Sequence, residues 1–205
     1  RKYDDPRNSL FKEFARLAKD LQPKVFVMEN VTGMIKGYMK QAYLQIAKTL
    51  RECGYKVCGE VMNAMYFDVP QRRERVIIIG TRNDLMIEPS HPRPKTKPLT
   101  VFEALSDVHN RTFCNTDYSK HRRGKYKISE LMRLMKQGES ASKYLDAGGF
   151  SLVRLDGKKP SPTLQKVFPG SNINVVHPVE NRQITIEEAK RLASFRSEEH
   201  TSELQ

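Results

Sequence analysis

Between Ser9 and Leu21 large apolar residues recur at Leu10, Phe14, Leu17 and Leu21. These spacings of four, three and four predict an amphipathic helix with those four side chains turned inward. Asn8 or Ser9 is placed to cap it, and Pro23 to end it. The run Val25-Phe26-Val27-Met28 predicts a strand over Lys24–Met28 buried on both faces. A second helix is predicted over Gln41–Cys53, with Tyr43, Ile46, Ala47, Leu50 and Cys53 inward and Gly54 as its stop. Tyr55–Asn63 and Arg75–Thr81, the latter containing Val76-Ile77-Ile78-Ile79, read as two further strands. Helices alternating with strands at this spacing imply a layered α/β sheet, parallel at least in part.

Near Glu88 the pattern changes. Pro89, Pro92, Pro94 and Pro98 interrupt the chain, and the stretch beyond them predicts one helix over Ile128–Gln137 among short strands punctuated by glycine. A closing turn and a helix from Thr185, with Glu187 and Glu188 in its first turn, complete the pattern. Charge sharpens the division. Pro89–Asn181 holds 16 Lys/Arg against 8 Asp/Glu, and Lys120–Lys127 carries five cations without an acid. The whole chain of 205 residues has a formal net charge of +12, which suits a polyanionic partner. A solvated basic loop is the plainer alternative for Lys120–Lys127.

Other counts exclude classes. No apolar run is long enough to span a bilayer and nothing at the start resembles a signal peptide, so an intracellular protein is expected. Cys53, Cys58 and Cys114 are too few for a disulfide framework, and the five histidines show no metal-ligand spacing, so no metal is expected. All three cysteines read as structural or incidental. The final ten residues, 196–205, resemble the translation of a common sequencing adapter and are set aside as an artefactual tail. The start at Arg1 leads to the expectation of a missing upstream part.

Two places carry candidate chemistry. Glu29-Asn30-Val31 follows directly on the predicted buried strand, where ligands bind in open α/β sheets, although a strand-end carboxylate also serves to cap a turn. Gln71-Arg72-Arg73-Glu74-Arg75 leads into an apolar strand. If that strand begins early, Arg73 and Arg75 share one face, and two adjacent guanidiniums call for an anion or a carbonyl oxygen between them. A solvated charged run is the alternative.

These segments also resemble a known family. Asp4-Asp5-Pro6-Arg7-Asn8-Ser9-Leu10-Phe11, Pro23-Lys24-Val25-Phe26-Val27-Met28-Glu29-Asn30-Val31 and Pro70-Gln71-Arg72-Arg73-Glu74-Arg75 are similar to successive signatures of DNA (cytosine-5) methyltransferases. Asn181-Arg182-Gln183-Ile184-Thr185-Ile186-Glu187-Glu188-Ala189-Lys190-Arg191-Leu192 resembles the family's ninth motif. Order and spacing agree over most of residues 1–195, and the match breaks at position 196.

The resemblance implies a partial S-adenosylmethionine-dependent methyltransferase (Rossmann-like) α/β sheet with a smaller, loop-rich, basic target-recognition region. It places the C-terminal half of the catalytic domain in residues 1–88 and target recognition in 89–180, with 181–195 returning to the catalytic domain. In this family a cysteine thiolate adds to C6 of a flipped cytosine, and C5 then takes the methyl group of S-adenosylmethionine. Developing charge at N3 and O2 calls for a carboxyl group and an arginine. By resemblance Glu29 takes the first role, and Arg75 with Arg73 beside it the second. Leu10 matches a position that packs on the cofactor's adenine. Thr163, in Thr163-Leu164, matches a contact to the backbone near the flipped base, and Lys120, Arg122, Arg123 and Lys125 are expected to contact DNA.

The family's glycine-containing cofactor loop and Pro-Cys nucleophile precede the matched segments, and none of the three cysteines here follows a proline. A nucleophile-free fragment, inactive alone and of bacterial or phage origin, is therefore expected. Double-stranded DNA is its expected partner, a cognate restriction endonuclease is a candidate one, and no membrane is involved. Two alternatives are a DNA-binding or split-enzyme subunit and a relative acting on RNA. The bacterial setting would be cytoplasmic, at the nucleoid.

Overall fold

The computed structural model of the protein describes residues 10–35, 40–106, 122–123, 125–145, 152–164 and 175–195. The chain divides into two compact units, Arg1–Asn63 with Glu74–Pro94, and Ala64–Arg73 with Lys95–Gln205. Lys120, Cys114 and residues 196–205 lie outside the described residues. No described helix is long and apolar enough to cross a membrane.

The first unit runs α1 (Leu10–Leu21), β1 (Val25–Val31), α2 (Lys40–Glu52) and β2 (Tyr55–Asn63). It resumes, after β3 (Gln71–Arg72) of the second unit, with β4 (Glu74–Arg82). β4 lies between β1 and β2 and runs antiparallel to both. The expected parallel pairing is thus corrected for this sheet, and the connections give the reason. α2 carries the chain over from β1 to β2, so these two strands point the same way. The return from β2 to β4 spans only residues 64–73, shorter than a crossover requires, so the chain reverses and inserts β4 antiparallel between them.

Alternation along the strands sorts the side chains. Phe26, Met28, Tyr55, Val76 and Ile78 join Ala15, Ala18, Ile46 and Leu50 in one buried core beneath the two helices. The Phe26 ring meets Phe14 edge-on at 5.4 Å and Tyr55 at 5.0 Å. Gly80, the β4 partner of Phe26, is required there, because a Cβ would lie 2.2 Å from that ring. α2 buries the expected face, and Gly54 ends it in the left-handed region at φ +94°.

Two expectations are corrected in this unit. In α1 the inward stripe is Phe11, Phe14, Ala15 and Ala18, while Leu10, Leu17 and Leu21 are exposed. The two alanines allow the helix a close approach that a leucine face would not. β1 is buried on one face only: Phe26 and Met28 are buried, and Val25, Val27 and Val31 on the opposite face are exposed. Both helices cover the same side of the sheet. On the other side the segment after β4 reaches β4 and β2, through Thr81 Oγ1 to the Ile87 carbonyl at 2.7 Å, His91 Nε2 to the Ile77 carbonyl at 2.8 Å and a Lys56–Glu88 ion pair.

The second unit is built from shorter pieces: α3 (Val101–Leu105), β5 (Arg122–Arg123), β6 (Tyr126–Lys127), α4 (Ile128–Leu134), β7 (Val153–Arg154), β8 (Ser161–Pro162), β9 (Val175–Val176) and α5 (Ile186–Leu192). β3 pairs with β8 and β7 with β9, both parallel, and β5 with β6 forms an antiparallel hairpin. α4 stops short of the expected Gln137 because Met135 turns extended, burying its side chain with Leu131 and Met132. A second cluster joins Val101, Leu155, Val175 and Leu192.

Polar groups hold these pieces together. Arg154 is buried, and its guanidinium donates to the carbonyls of His177 at 2.8 Å and Glu180 at 2.9 Å, to the Met132 carbonyl and to Asn181 Oδ1 at 2.6 Å. Burial pulls its pKa down from the usual guanidinium value. Arg182 grips Glu188 in a two-pronged ion pair, both bonds 2.8 Å, and Glu180 by a third at 2.9 Å. Glu188 also closes the capping box with Thr185 at the start of α5. Burial pushes the Glu188 carboxyl up, but Arg182 and the Thr185 amide outweigh it and hold it below its ordinary value. His177 is pushed down, first by burial and then by Arg182.

Candidate active site and nucleic-acid interface

On β1 and β4 the register places Glu29 opposite Ile77 and Val31 opposite Arg75. Paired residues of an antiparallel ladder share a face, so Glu29, Ile77 and Arg75 all stand on the face away from the helices. There the Arg75 guanidinium forms an ion pair with Glu29, its Nε 2.8 Å from Oε1. Arg75 also donates from Nη1 to the Glu74 carbonyl at 2.7 Å, which fixes the guanidinium plane. A carboxylate half exposed to solvent and an arginine mostly shielded from it are thereby held as one unit, 46 residues apart in the chain. Such a pair presents an acceptor edge and a donor edge side by side, the pattern needed to grip a ring with alternating donors and acceptors. The neighbouring Asn30 Oδ1 accepts from the Val31 amide at 2.8 Å, a local brace that the pattern of residues did not signal.

Arg73 is placed differently. β4 begins at Glu74, so the alternation that would set Arg73 beside Arg75 on one strand face does not reach it. Arg73 belongs to the second unit, where its carbonyl accepts from the Ala64 amide at 3.0 Å. In the same unit β3 lies beside β8, with Gln71 opposite Ser161 and Arg72 opposite Pro162. Just past β8 the Thr163 hydroxyl donates to the Arg72 carbonyl at 2.8 Å, and the Ser161 amide donates to the Pro70 carbonyl at 2.9 Å. The buried Gln71 reaches toward the Leu192 carbonyl at 3.5 Å. Thr163 is thus a brace for the Gln-Arg-Arg segment across 91 positions of sequence. No local spacing could have indicated that role.

Of the expected DNA contacts, Arg122 and Arg123 form β5 and pair with Lys127 and Tyr126. Lys125 sits exposed at the turn with its ammonium 5.3 Å above the centre of the Tyr126 ring. The backbone pairing of β5 with β6 thus sets Arg122, Arg123, Lys125 and Lys127 within six consecutive positions. Leu10 opens α1 with 64% of its surface exposed. Cys53 Sγ lies 3.7 Å from the Ala15 carbonyl in the helix-covered core region, in keeping with a structural reading.

A family model described as C-5 cytosine-specific DNA methylase matches residues 1–200. The chain is 33% identical over 210 residues to the Type II methyltransferase M.PspPI of Psychrobacter sp. (strain TA137), covering 94% of this chain and 50% of that protein. It is 32% identical over 203 residues to the Type II methyltransferase M1.HphI of Haemophilus parahaemolyticus, covering 94% of this chain and 53% of that protein. The chain thus spans about half the length of the curated relatives it matches. A solved structure of a DNA modification methyltransferase from an Escherichia coli prophage superposes with a TM-score of 0.69 at 22% identity, over 94% of this chain and 66% of that one. That likeness is one of fold.

Proposed function

The chain belongs to the C-5 cytosine-specific DNA methylase family, and on that premise we propose that the protein it is part of transfers a methyl group to C5 of a flipped cytosine in duplex DNA. The observation that carries this reading is the Glu29–Arg75 pair, which joins two separate motifs on one sheet face. Glu29 meets the N3 and exocyclic amino edge of the base. Arg75 orients that carboxyl group and turns its remaining donors toward O2, where charge develops when a thiolate adds to C6. Arg73 serves a backbone phosphate, and Thr163 holds the adjoining Arg72 carbonyl. Residues 1–88 act as the C-terminal half of the catalytic domain and 89–180 as the target-recognition region, with 181–195 as the return segment. S-adenosylmethionine, when bound, supplies the electrophilic methyl group. Among residues here Leu10, apolar and exposed at the start of α1, fits one wall of its adenine pocket. A restriction endonuclease of the same target sequence is the natural counterpart of such an enzyme.

The nucleophile of this reaction is a cysteine following proline, which none of the three cysteines is. On this reading the 205-residue chain alone should show no turnover. Joined, covalently or in trans, to a half that carries the Pro-Cys motif, it should methylate duplex DNA and not tRNA. In that protein Glu29→Gln should lower transfer by about 100-fold or more while leaving duplex binding intact. Replacing Lys120, Arg122, Arg123 and Lys125 by neutral residues should weaken binding and flatten its salt dependence by about 0.9 units of slope per lost phosphate contact. Turnover by the chain alone, transfer to tRNA in place of DNA, or an unimpaired Glu29→Gln protein would overturn the reading.

A further inference from the structure

On β2, Cys58 and Glu60 flank Gly59 and so project from one face of the sheet, two residues apart. Their β4 partners are Ile79 and Ile77, which places them on the face away from the helix-covered core. The segment after β4 returns over this face and brings in His91. The donor atoms of Cys58, Glu60 and His91 all lie within 4.8 Å of one another. No spacing in the sequence hints at this, since His91 is more than 30 positions from either partner.

The histidine is held in the form a metal needs. Its side chain is only 1% exposed. Nε2 faces the Ile77 carbonyl at 2.8 Å, and a carbonyl only accepts, so Nε2 carries the proton. In the neutral ring Nδ1 then keeps its lone pair, buried and without a hydrogen-bond partner. It faces Glu60 Oε1 at 3.8 Å, too far for a hydrogen bond, so an imidazole lone pair and a carboxylate oxygen confront each other. A cation resolves that opposition. A ligating histidine commonly gives its other N–H to a backbone carbonyl, which fixes the ring and its tautomer, and here that carbonyl belongs to the residue directly across the ladder from Glu60. Lys56, the remaining cation on this stretch of β2, is already paired with Glu88.

We propose that Cys58, Glu60 and His91 form a three-donor site for a zinc-class divalent cation, which pins the segment after β4 to the sheet. One thiolate, one imidazole and one carboxylate suit a borderline metal and leave a fourth position for water. Metal–ligand lengths of about 2.0–2.3 Å require the donors to draw to about 3.5 Å apart. Glu60, with 59% of its side chain exposed, has the freedom to close that gap. On binding, the Cys58 thiol gives its proton to solvent.

Cobalt(II) reports on the site through its colour. The full chain, stripped of metal with a chelator, should bind one equivalent of cobalt and show a thiolate-to-metal charge-transfer band, which zinc then bleaches. Zinc should also raise the melting temperature. Cys58→Ser should abolish the band, whereas a Cys53→Ser, Cys114→Ser double variant should keep it. Should Cys58→Ser not fold, Glu60→Gln, a change at an exposed side chain, should still lower the affinity at least about tenfold with unchanged circular dichroism. A folded wild-type chain without the band, a band that survives Cys58→Ser, or wild-type affinity in Glu60→Gln would overturn the proposal.

Discussion

The two units reach stability by different routes. The first has three strands of seven to nine residues, two long helices and one continuous apolar core. Among its described residues the second has strands of two residues, helices of five to seven, and two smaller clusters. Among the described residues of the second unit, side chains that bind backbone join its short pieces. Arg154 ties α4 to the 177–181 turn, and Arg182 and Thr185 both hold Glu188. Glutamates in the third position of α3 and α5 close capping boxes. Apolar burial tolerates imprecise geometry, whereas such polar braces depend on each partner. The first unit should therefore yield gradually to mutation, and the second at single residues.

The largest effect that would test this contrast is expected at Arg154. Arg154→Met removes the charge but strands three carbonyls and the Asn181 side chain, at a cost of about 3–5 kcal/mol. Hydrogen exchange should show lost protection centred on α4 and the strands β7 and β9. A change of less than 1 kcal/mol would make the brace ornamental. In the first unit Ile78→Ala leaves a cavity in the core and should cost about 2–4 kcal/mol, with a small rearrangement around Phe26 and Leu50. Similar costs would still differ in kind, since Ile78→Val should recover most of the loss while Arg154→Lys should not.

Acid provides an intermediate test. Folding holds both His177 and Glu188 below their ordinary values of 6.5 and 4.5. A depressed pKa means that the unfolded chain binds more protons, so the stabilisation is present at higher pH and is lost as pH falls. The melting temperature should thus decline from about pH 6.5 downward and again below about pH 4.5. Glu188→Gln should flatten the lower step, and an unchanged acid profile would remove these groups from the stability of the second unit. The smallest informative change is Thr185→Ala, which deletes one cap and should cost about 1 kcal/mol. Arg16→Ala, by contrast, breaks two exposed ion pairs of α1 and should leave the melting curve where it was.

The same contrast explains what could be read without a structure. β2 begins and ends where alternation and Gly54 indicated, and α5 starts after Thr185 as its acidic first turn implied. α1 was legible as a helix but not in its facing, because Leu10, Leu17 and Leu21 compete with Phe11, Phe14, Ala15 and Ala18 for the inward side. Spacing alone does not tell which neighbour a helix meets. The antiparallel place of β4 follows from the length of one connection, a feature that local periodicity does not contain. In the candidate site, Glu29 and Arg75 were marked by residue type and resemblance, and the ladder brings them together. Thr163 on Arg72 and His91 beside Cys58 depend on contacts between distant segments, for which no short-range pattern exists.

The order of the strands also has a consequence in time. A ribosome delivers the chain from its first residue onward, so β1 and β2 appear before the strand that separates them. In the finished sheet they stand about 9.5 Å apart and share no hydrogen bond. Until Arg82 has been added, the nascent segment holds two helices and two strands with apolar faces but no sheet to unite them. At about 5–20 residues per second, the wait from Asn63 to Arg82 lasts about 1–4 s. During that interval the exposed backbone of both strands is open to chaperones and to neighbouring nascent chains. Synonymous codons that slow translation between these two residues would lengthen the exposure without altering the product.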